Sequence, residues 1–292
     1  MLGAIANWPE MLKETFRAWS DDKGPRLGAA LAYYSAFSLA PLLLIAMAVA
    51  GLFFGRDAAQ GKIAEQIQGL IGRDAAQAVQ SMVKNSRHAG TGFFASVIGL
   101  VMLVLGASGV FAELQDSLNT IWKVEPRPKL KFLHAIRQRF LDFGMVFAIG
   151  FLLLISLVIS AALSVVGHFI SPFPSGYLFL LHLLEAVVSA AVITALFAAI
   201  FKFLPDAPVA WKDVWVGAGL TAVLFTLGKF LIGLYLGHSS IASSYGAAGS
   251  LMVALVWVYY SAQILFFGAE FTKVHAERSG SSRSAAPGGP SK

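Results

Sequence analysis

Six stretches of the chain are almost unbroken apolar sequence: 27–53, 92–112, 143–168, 178–203, 214–236 and 247–270. Crossing the hydrocarbon core of a bilayer takes about 20 such residues at the rise of an α-helix, and each stretch reaches that length. The run 143–168 contains no Asp, Glu, Lys or Arg. A lipid-embedded segment must close its backbone hydrogen bonds internally, so the pattern predicts an all-α membrane protein of six transmembrane helices.

Two other segments show a mixed pattern. In 1–26, Trp8, Leu12, Phe16 and Trp19 recur at spacings of 4, 4 and 3. That is one greasy stripe on a helix whose first turn accommodates Pro9. An amphipathic helix of this kind either lies along the membrane surface or packs on the ends of the bundle, and the sequence leaves both open. In 54–91, Ile63, Ile67, Leu70, Ile71, Ala78, Val79, Met82 and Val83 form a second stripe, with Gly72 as a break. One or two amphipathic helices are expected there. Residues 279–292 are Ser, Gly, Pro and Ala with isolated basic groups, a composition expected to be disordered. The expected organisation is therefore an amphipathic helix (1–26), a six-span membrane domain (27–278) and a tail (279–292).

Composition sharpens this picture. Of 292 residues 57% are apolar and 13% charged, and the mean hydropathy is +0.70. These values exclude an ordinary soluble, disordered or collagen-like chain. The sequence contains no cysteine, which removes disulfides, thiolate metal sites and a cysteine nucleophile. The net charge of +6 is read as topology. Along the six spans, 16 Lys and Arg fall on one side and 5 on the other, all 5 in the 54–91 loop. The positive-inside rule then puts both termini in the cytoplasm and 54–91 outside. Trp8, Trp19, Trp122, Trp211 and Trp215 fall at the same cytoplasmic interface, where indole prefers to sit. Residues 1–26 contain Lys13, Arg17, Lys23, Arg26 and four acids and no leader-like apolar core, so no cleaved leader is expected.

Ionisable groups at membrane depth are candidate functional residues because each costs at least about 2.5–3.5 kcal/mol near the bilayer centre. Glu185 and Lys229 occupy similar depths on consecutive antiparallel spans, with His182 one turn before Glu185. They are read either as a structural ion pair or as the lining of an externally open polar site. Pro41 lies near the middle of the first span, where it removes a donor and kinks or interrupts the helix. Gly246 and Gly249 give the start of the last span unusual backbone freedom and serve as a candidate hinge. Glu113, Gln263 and Glu270 form a candidate inner-face network, Gln263 and Glu270 being seven residues apart on one helix face. Gly99, Gly106 and Gly109, and then Gly217, Gly228 and Gly233, mark places where helices approach closely.

Other chemistry is not expected. The six histidines are scattered without ligand spacing, and neither a GxxxxGK[ST] loop nor a GxSxG elbow is present. No metal, cofactor or catalytic residue is predicted, and the chain reads as a non-enzyme. The basic stretch 123–139 adjoins the membrane without interleaved aromatic platforms. It suits anionic lipid head groups rather than nucleic acid.

Three stretches carry a resemblance to a known family. They are Gly28 to Pro41 (GAALAYYSAFSLAP), Leu204 to Trp215 (LPDAPVAWKDVW) followed by Gly217, and Tyr245 to Ser250 (YGAAGS) with Trp257 to Ser261 (WVYYS) and Gly268-Ala269-Glu270. Together they resemble the YihY/virulence factor BrkB family over roughly residues 10–277. The resemblance implies a six-span protein of the bacterial inner membrane. The implied role is in envelope integrity and the movement of a lipid or envelope precursor; the 54–91 loop and the basic 123–139 stretch, as docking surfaces, support the alternative of a non-transporting scaffold for an envelope partner. It marks Tyr33, Tyr34, Pro41, Trp257, Tyr260 and Glu270 as family-matched positions without a catalytic role. A ribonuclease label once attached to the family has no support in these residues.

Overall fold

The computed structural model describes residues 8–36, 109–124, 175–238 and 249–280; within them, side chains are described except at 175–182, Glu185, 236–238 and 249–250. Every element among the described residues is an α-helix: α1 (Trp8–Asp21), α2 (24–36), α3 (109–121), α4 (Ser175–Phe203), α5 (Trp211–His238) and α6 (Gly249–Arg278). Segments within α4 (Ala186–Phe203), α5 (Trp211–Tyr235) and α6 (Leu251–Arg278) are long and apolar enough to cross a membrane. They fall on the fourth, fifth and sixth predicted spans. The third predicted span, the part of the first beyond residue 36, the part of the second before 109, the 54–91 loop, Pro41, Gly246 and the tail beyond 280 lie outside the described residues.

Helix ends follow local chemistry. Pro205 and Pro208 cannot continue α4, and α5 begins three residues after Pro208 with Asp213 in its first turn, where a carboxylate favours the positive end of the helix dipole. At the end of α3, Lys123 adopts φ 52°. Its N–H donates to the Thr120 carbonyl and that of Val124 to the Asn119 carbonyl, a complete Schellman closure. Lys23, at φ 57°, turns the chain from α1 into α2. In both turns a lysine occupies the left-handed region that glycine would enter more cheaply.

The chain divides into two compact units. The first comprises Met1–Phe16, Leu118–Val223 and Gly268–Lys292, the second Arg17–Ser117 and Leu224–Phe267. In the first unit, α5 and α6 run antiparallel and interlock through a reciprocal pair. Gly217 lies against Thr272, and Gly268 lies against Thr221, so closely that a methyl group at either glycine would strike the facing threonine. Each threonine spends its hydroxyl on its own helix: Thr221 Oγ1 donates to the Gly217 carbonyl and Thr272 Oγ1 to the Gly268 carbonyl, both at 2.7 Å. Both threonines are fully buried. Small residues that admit a neighbouring backbone are the usual means of helix association where lipid removes the hydrophobic drive.

In the same unit, α1 docks on α6. Met11, Phe271 and Val274 form a buried cluster, with Leu220 of α5 packed against it. The Trp8 and Phe271 rings meet at 5.9 Å. Thr15 is buried beside them and returns its hydroxyl to the Met11 carbonyl at 2.8 Å. Docking on the bundle is thus the arrangement found, but through Met11 and Thr15. Of the aromatic stripe, Trp8 meets this contact at its edge, while Leu12 and Phe16 lie beside it and are exposed.

In the second unit, Ile232 and Val253 are buried against Val256, Trp257 and Tyr260, joining α5 to α6. Gly228 admits Tyr260 and Ile264, Gly28 of α2 admits the Gln263 side chain, and Gly109 of α3 admits Tyr34.

Candidate functional site

The α4–α5 corner is built in the first unit from aromatic and polar residues. Phe203 meets Trp211 edge-on at 5.8 Å, and Trp211 stacks on Trp215 at 6.3 Å. All three rings are about half exposed or more. Lys202 reaches across the corner, donating to the Val209 carbonyl at 2.6 Å while its ammonium lies 5.6 Å from the Trp211 ring centre. One proton thus meets a carbonyl and the charge faces a π cloud, which holds the loop closed. Asn119 braces it from α3: its Nδ2 donates to Asp206 Oδ2 at 2.9 Å, and its Oδ1 accepts from the Asp206 N–H at 2.8 Å. Exposed indoles beside a lysine at the ends of two apolar helices have the composition of a membrane–water interface.

A second polar group gathers at the end of α6. Asp213 is buried; its Oδ1 accepts from Ser279 Oγ at 3.1 Å and lies 3.6 Å from His275 Nε2. The His275 ring lies parallel to Phe271. Arg278 donates from Nε and Nη2 to the same carboxylate oxygen of Glu14, at 2.9 and 2.6 Å, fastening α1. Asp213 faces the serine and the histidine separately, so the three do not form a nucleophile–base–acid relay. Among the described residues, no group of three or more His, Asp or Glu has the geometry to hold a metal ion.

The predicted inner-face residues divide between the two units. Glu270 belongs to the first unit, fully buried, with Lys273 Nζ 3.7 Å away. Glu113 and Gln263 belong to the second. The carboxyl of Glu113 titrates above the ordinary carboxylate value because burial disfavours its charge and Asp116 repels it, with Arg26 opposing both. The Gln263 side chain presses on Gly28. Its amide nitrogen and oxygen are both buried and meet no hydrogen-bond partner among the described residues. The Trp257 indole N–H and the Ser117 hydroxyl, in the same unit, are in the same position. A buried glutamine at Gly28 was legible only in part. Gln263 stood out as a polar residue in an apolar span, whereas its α2 contact did not.

The remaining candidates divide as follows. Glu185 and His182 lie on α4, but their side chains are outside those described. Lys229 is half-buried on α5 and engaged in an interaction. The Glu185–Lys229 pair and the place of His182 beside it therefore fall outside the described residues. Tyr33 and Tyr34 are exposed, their rings meeting edge-on at 5.7 Å. Trp257 meets Phe225 edge-on at 6.2 Å, and Tyr260 packs on Gly228. Gly249 opens α6 in helical conformation. Gly233 faces open space rather than a neighbour. Asp213 and Thr15, both buried, escaped the sequence reading. Their signals are faint: an acid one turn after a proline, and a hydroxyl beside a greasy stripe.

A model of the protein family described as Virulence factor BrkB matches residues 15–291 of the chain. A UPF0761 membrane protein of Verminephrobacter eiseniae is 29% identical over 293 residues, covering 93% of this chain and 64% of its own length. One from Tolumonas auensis is 28% identical over 277 residues, covering 89% of this chain and 83% of its own length. One from Pseudomonas aeruginosa is 30% identical over 266 residues, covering 85% of this chain and 58% of its own length. The chain spans only 64%, 61% and 56% of the length of three such relatives. No solved structure matches it.

Proposed function

The chain belongs to the Virulence factor BrkB family, and from that premise we propose that it is a multi-pass protein of the bacterial inner membrane that moves an amphipathic lipid or envelope precursor across the bilayer. The supporting observation is the polar capacity left unspent on α6. The Gln263 amide and the Trp257 indole N–H are buried on a helix long and apolar enough to span a membrane, and both meet no hydrogen-bond partner among the described residues. A buried unsatisfied polar group costs about 1–3 kcal/mol. In a lipid-facing bundle only a transient polar guest, water or a head group, relieves that cost. A site that holds such capacity open is suited to letting a head group pass. The chain itself makes and breaks no bond in this reading. Anionic head groups gather at the basic stretch 123–139.

The test is lipid exchange in proteoliposomes containing a head-group-labelled phospholipid and an impermeant quencher. Protein-bearing vesicles should expose the inner-leaflet label faster than empty ones. Gln263→Leu should fold with an equal or higher melting temperature and lose the acceleration. Wild-type protein that accelerates neither labelled phospholipid nor any amphipathic precursor overturns the proposal.

A second reading, a non-transporting scaffold for an envelope protein partner, is favoured by the Gly217–Thr272 and Gly268–Thr221 contacts. They leave no room between α5 and α6 in the first unit. In that case Gln263→Leu keeps full envelope function and full partner recovery by crosslinking.

A further inference from the structure

We infer that the amide of Gln263 selects, among phosphate-bearing lipids, those whose head group also carries an N–H or O–H donor, as ethanolamine and glycerol head groups do and choline does not. The inference rests on the transport reading above and adds the class of head group that is passed.

The site lies within the second unit, between α2 and α6. Val253, Tyr260 and Ile264 form a row on α6 that packs on α5, Val253 clustering with Ile232 and the other two meeting Gly228. Gln263 lies about 80° round the helix from that row. There it meets α2: a β-carbon at Gly28 would strike its amide nitrogen and come within 3.1 Å of its amide carbon. The next atom, the β-carbon of Ala262, is 3.6 Å off, an ordinary contact. Gly28 is thus a notch that the amide fills.

Both polar ends of the amide are buried and meet no hydrogen-bond partner among the described residues. The nitrogen offers donors that any phosphate oxygen satisfies. The oxygen only accepts, so it needs an N–H or O–H. The buried Trp257 indole, also without a partner among the described residues, only donates. It lies about 9 Å along α6 from Gln263 and about 120° round it. Trp257 therefore suits every phosphate-bearing head group equally, and discrimination falls to Gln263. Water brings a glutamine amide both kinds of bond, and a head group that takes the place of water must return both. Choline phosphate has acceptors and no donor, which leaves the amide oxygen unpaired. An ammonium or a hydroxyl beside the phosphate pairs it. An unmade bond to a buried acceptor is the costly outcome, and a site that hydrogen-bonds its substrate rejects the analogue lacking the partner.

The test uses the full chain in vesicles of phosphatidylcholine and phosphatidylglycerol. Trace phosphatidylethanolamine, phosphatidylglycerol and phosphatidylcholine each carry the same nitrobenzoxadiazole label on an acyl chain, which keeps the head groups intact. External dithionite bleaches each label as it reaches the outer leaflet. Above the rate in empty vesicles, wild-type protein should move the ethanolamine and glycerol lipids at least about fivefold faster than the choline lipid. Gln263→Met, similar in length but without the amide, should bring all three to one rate while melting no lower than wild type. Where Gln263→Met does not fold, Gly28→Ala carries the same comparison: its methyl pushes the amide tip out of the notch, and the preference should narrow. Acceleration of all three lipids equally by wild-type protein overturns the inference and leaves the transport reading standing. A preference undiminished in both variants overturns the assignment to Gln263. Acceleration of none overturns the transport reading, and this inference with it.

Discussion

Thr272 of α6 closes over Gly217 of α5 so tightly that a β-carbon at 217 would come within 3.2 Å of the Thr272 backbone as well as striking its side chain. The backbone cannot swing aside as a side-chain tip can. Gly217→Ala should therefore destabilise the protein by about 1–3 kcal/mol, as overpacking does. Gly219, two residues on, has nothing within 4 Å, and Gly219→Ala should be neutral or stabilising by up to about 1 kcal/mol through helix propensity. Thermal melting of the two variants in one detergent checks the sign of the difference.

The attachment of α1 should depend on burial more than on charge. Arg278 and Glu14 are both partly exposed, so Glu14→Gln should cost less than about 1 kcal/mol and its effect should shrink with salt. Met11→Ala removes a buried side chain from the Phe271 and Val274 cluster and should cost about 2–5 kcal/mol. Tryptic cleavage at Lys13 and Arg17 should speed up far more in Met11→Ala than in Glu14→Gln.

Glu113 sets a pH dependence of definite sign. Its pKa is raised in the folded protein, chiefly by burial and then by Asp116. The folded state thus holds this proton more tightly than the unfolded one. Its stabilising contribution is fully present below the ordinary carboxylate pKa and is lost as pH rises through the raised value. Glu113→Gln should therefore be more stable than wild type at neutral pH, and the gap should close on acidification. Arg26→Gln should move the Glu113 titration further upward. Melting temperature against pH for the three proteins reads both effects.

Lys123 closes α3 in a left-handed conformation at φ 52°. Glycine there should relieve about 1 kcal/mol of backbone strain. Because the same turn positions Asn119 against Asp206, Asn119→Ala should have the opposite sign, losing about 1 kcal/mol for each of two hydrogen bonds less the part water replaces. Denaturation of the two variants side by side separates strain from bonding.

The fourth, fifth and sixth spans were legible because twenty apolar residues in a row have few alternatives, and α4 and α5 fall where hydropathy put them. Helix α6 runs to Arg278, eight residues past the predicted end at 270. Lys273, His275 and Arg278 lower local hydropathy there, yet Phe271 and Val274 in the same stretch are buried. Hydropathy averages over the helix circumference, and tertiary contact does not. The same gap explains α1, where Leu12 and Phe16 of the strongest stripe are exposed and the contact runs through Met11, Thr15 and the edge of Trp8. Gly217 and Gly228 were recognisable as close approaches, but nothing in the chain distinguished them from Gly233, which faces open space. Which neighbour fills a glycine notch is decided by the partner helix. Likewise, the polarity of Gln263 was visible, while its seat on Gly28 depended on a helix more than 200 residues away.

Seated at the head-group level that indole prefers, the aromatic corner of Phe203, Trp211 and Trp215 would also fix a waterline. Drawing the two indoles into alkane would strip their N–H groups of hydration, and lifting the three rings into bulk water would expose them, so α4 and α5 would resist bobbing along the membrane normal. A thicker or thinner bilayer must then be met by leaning of the helices about that corner. Lipid composition thereby becomes a mechanical input to the protein.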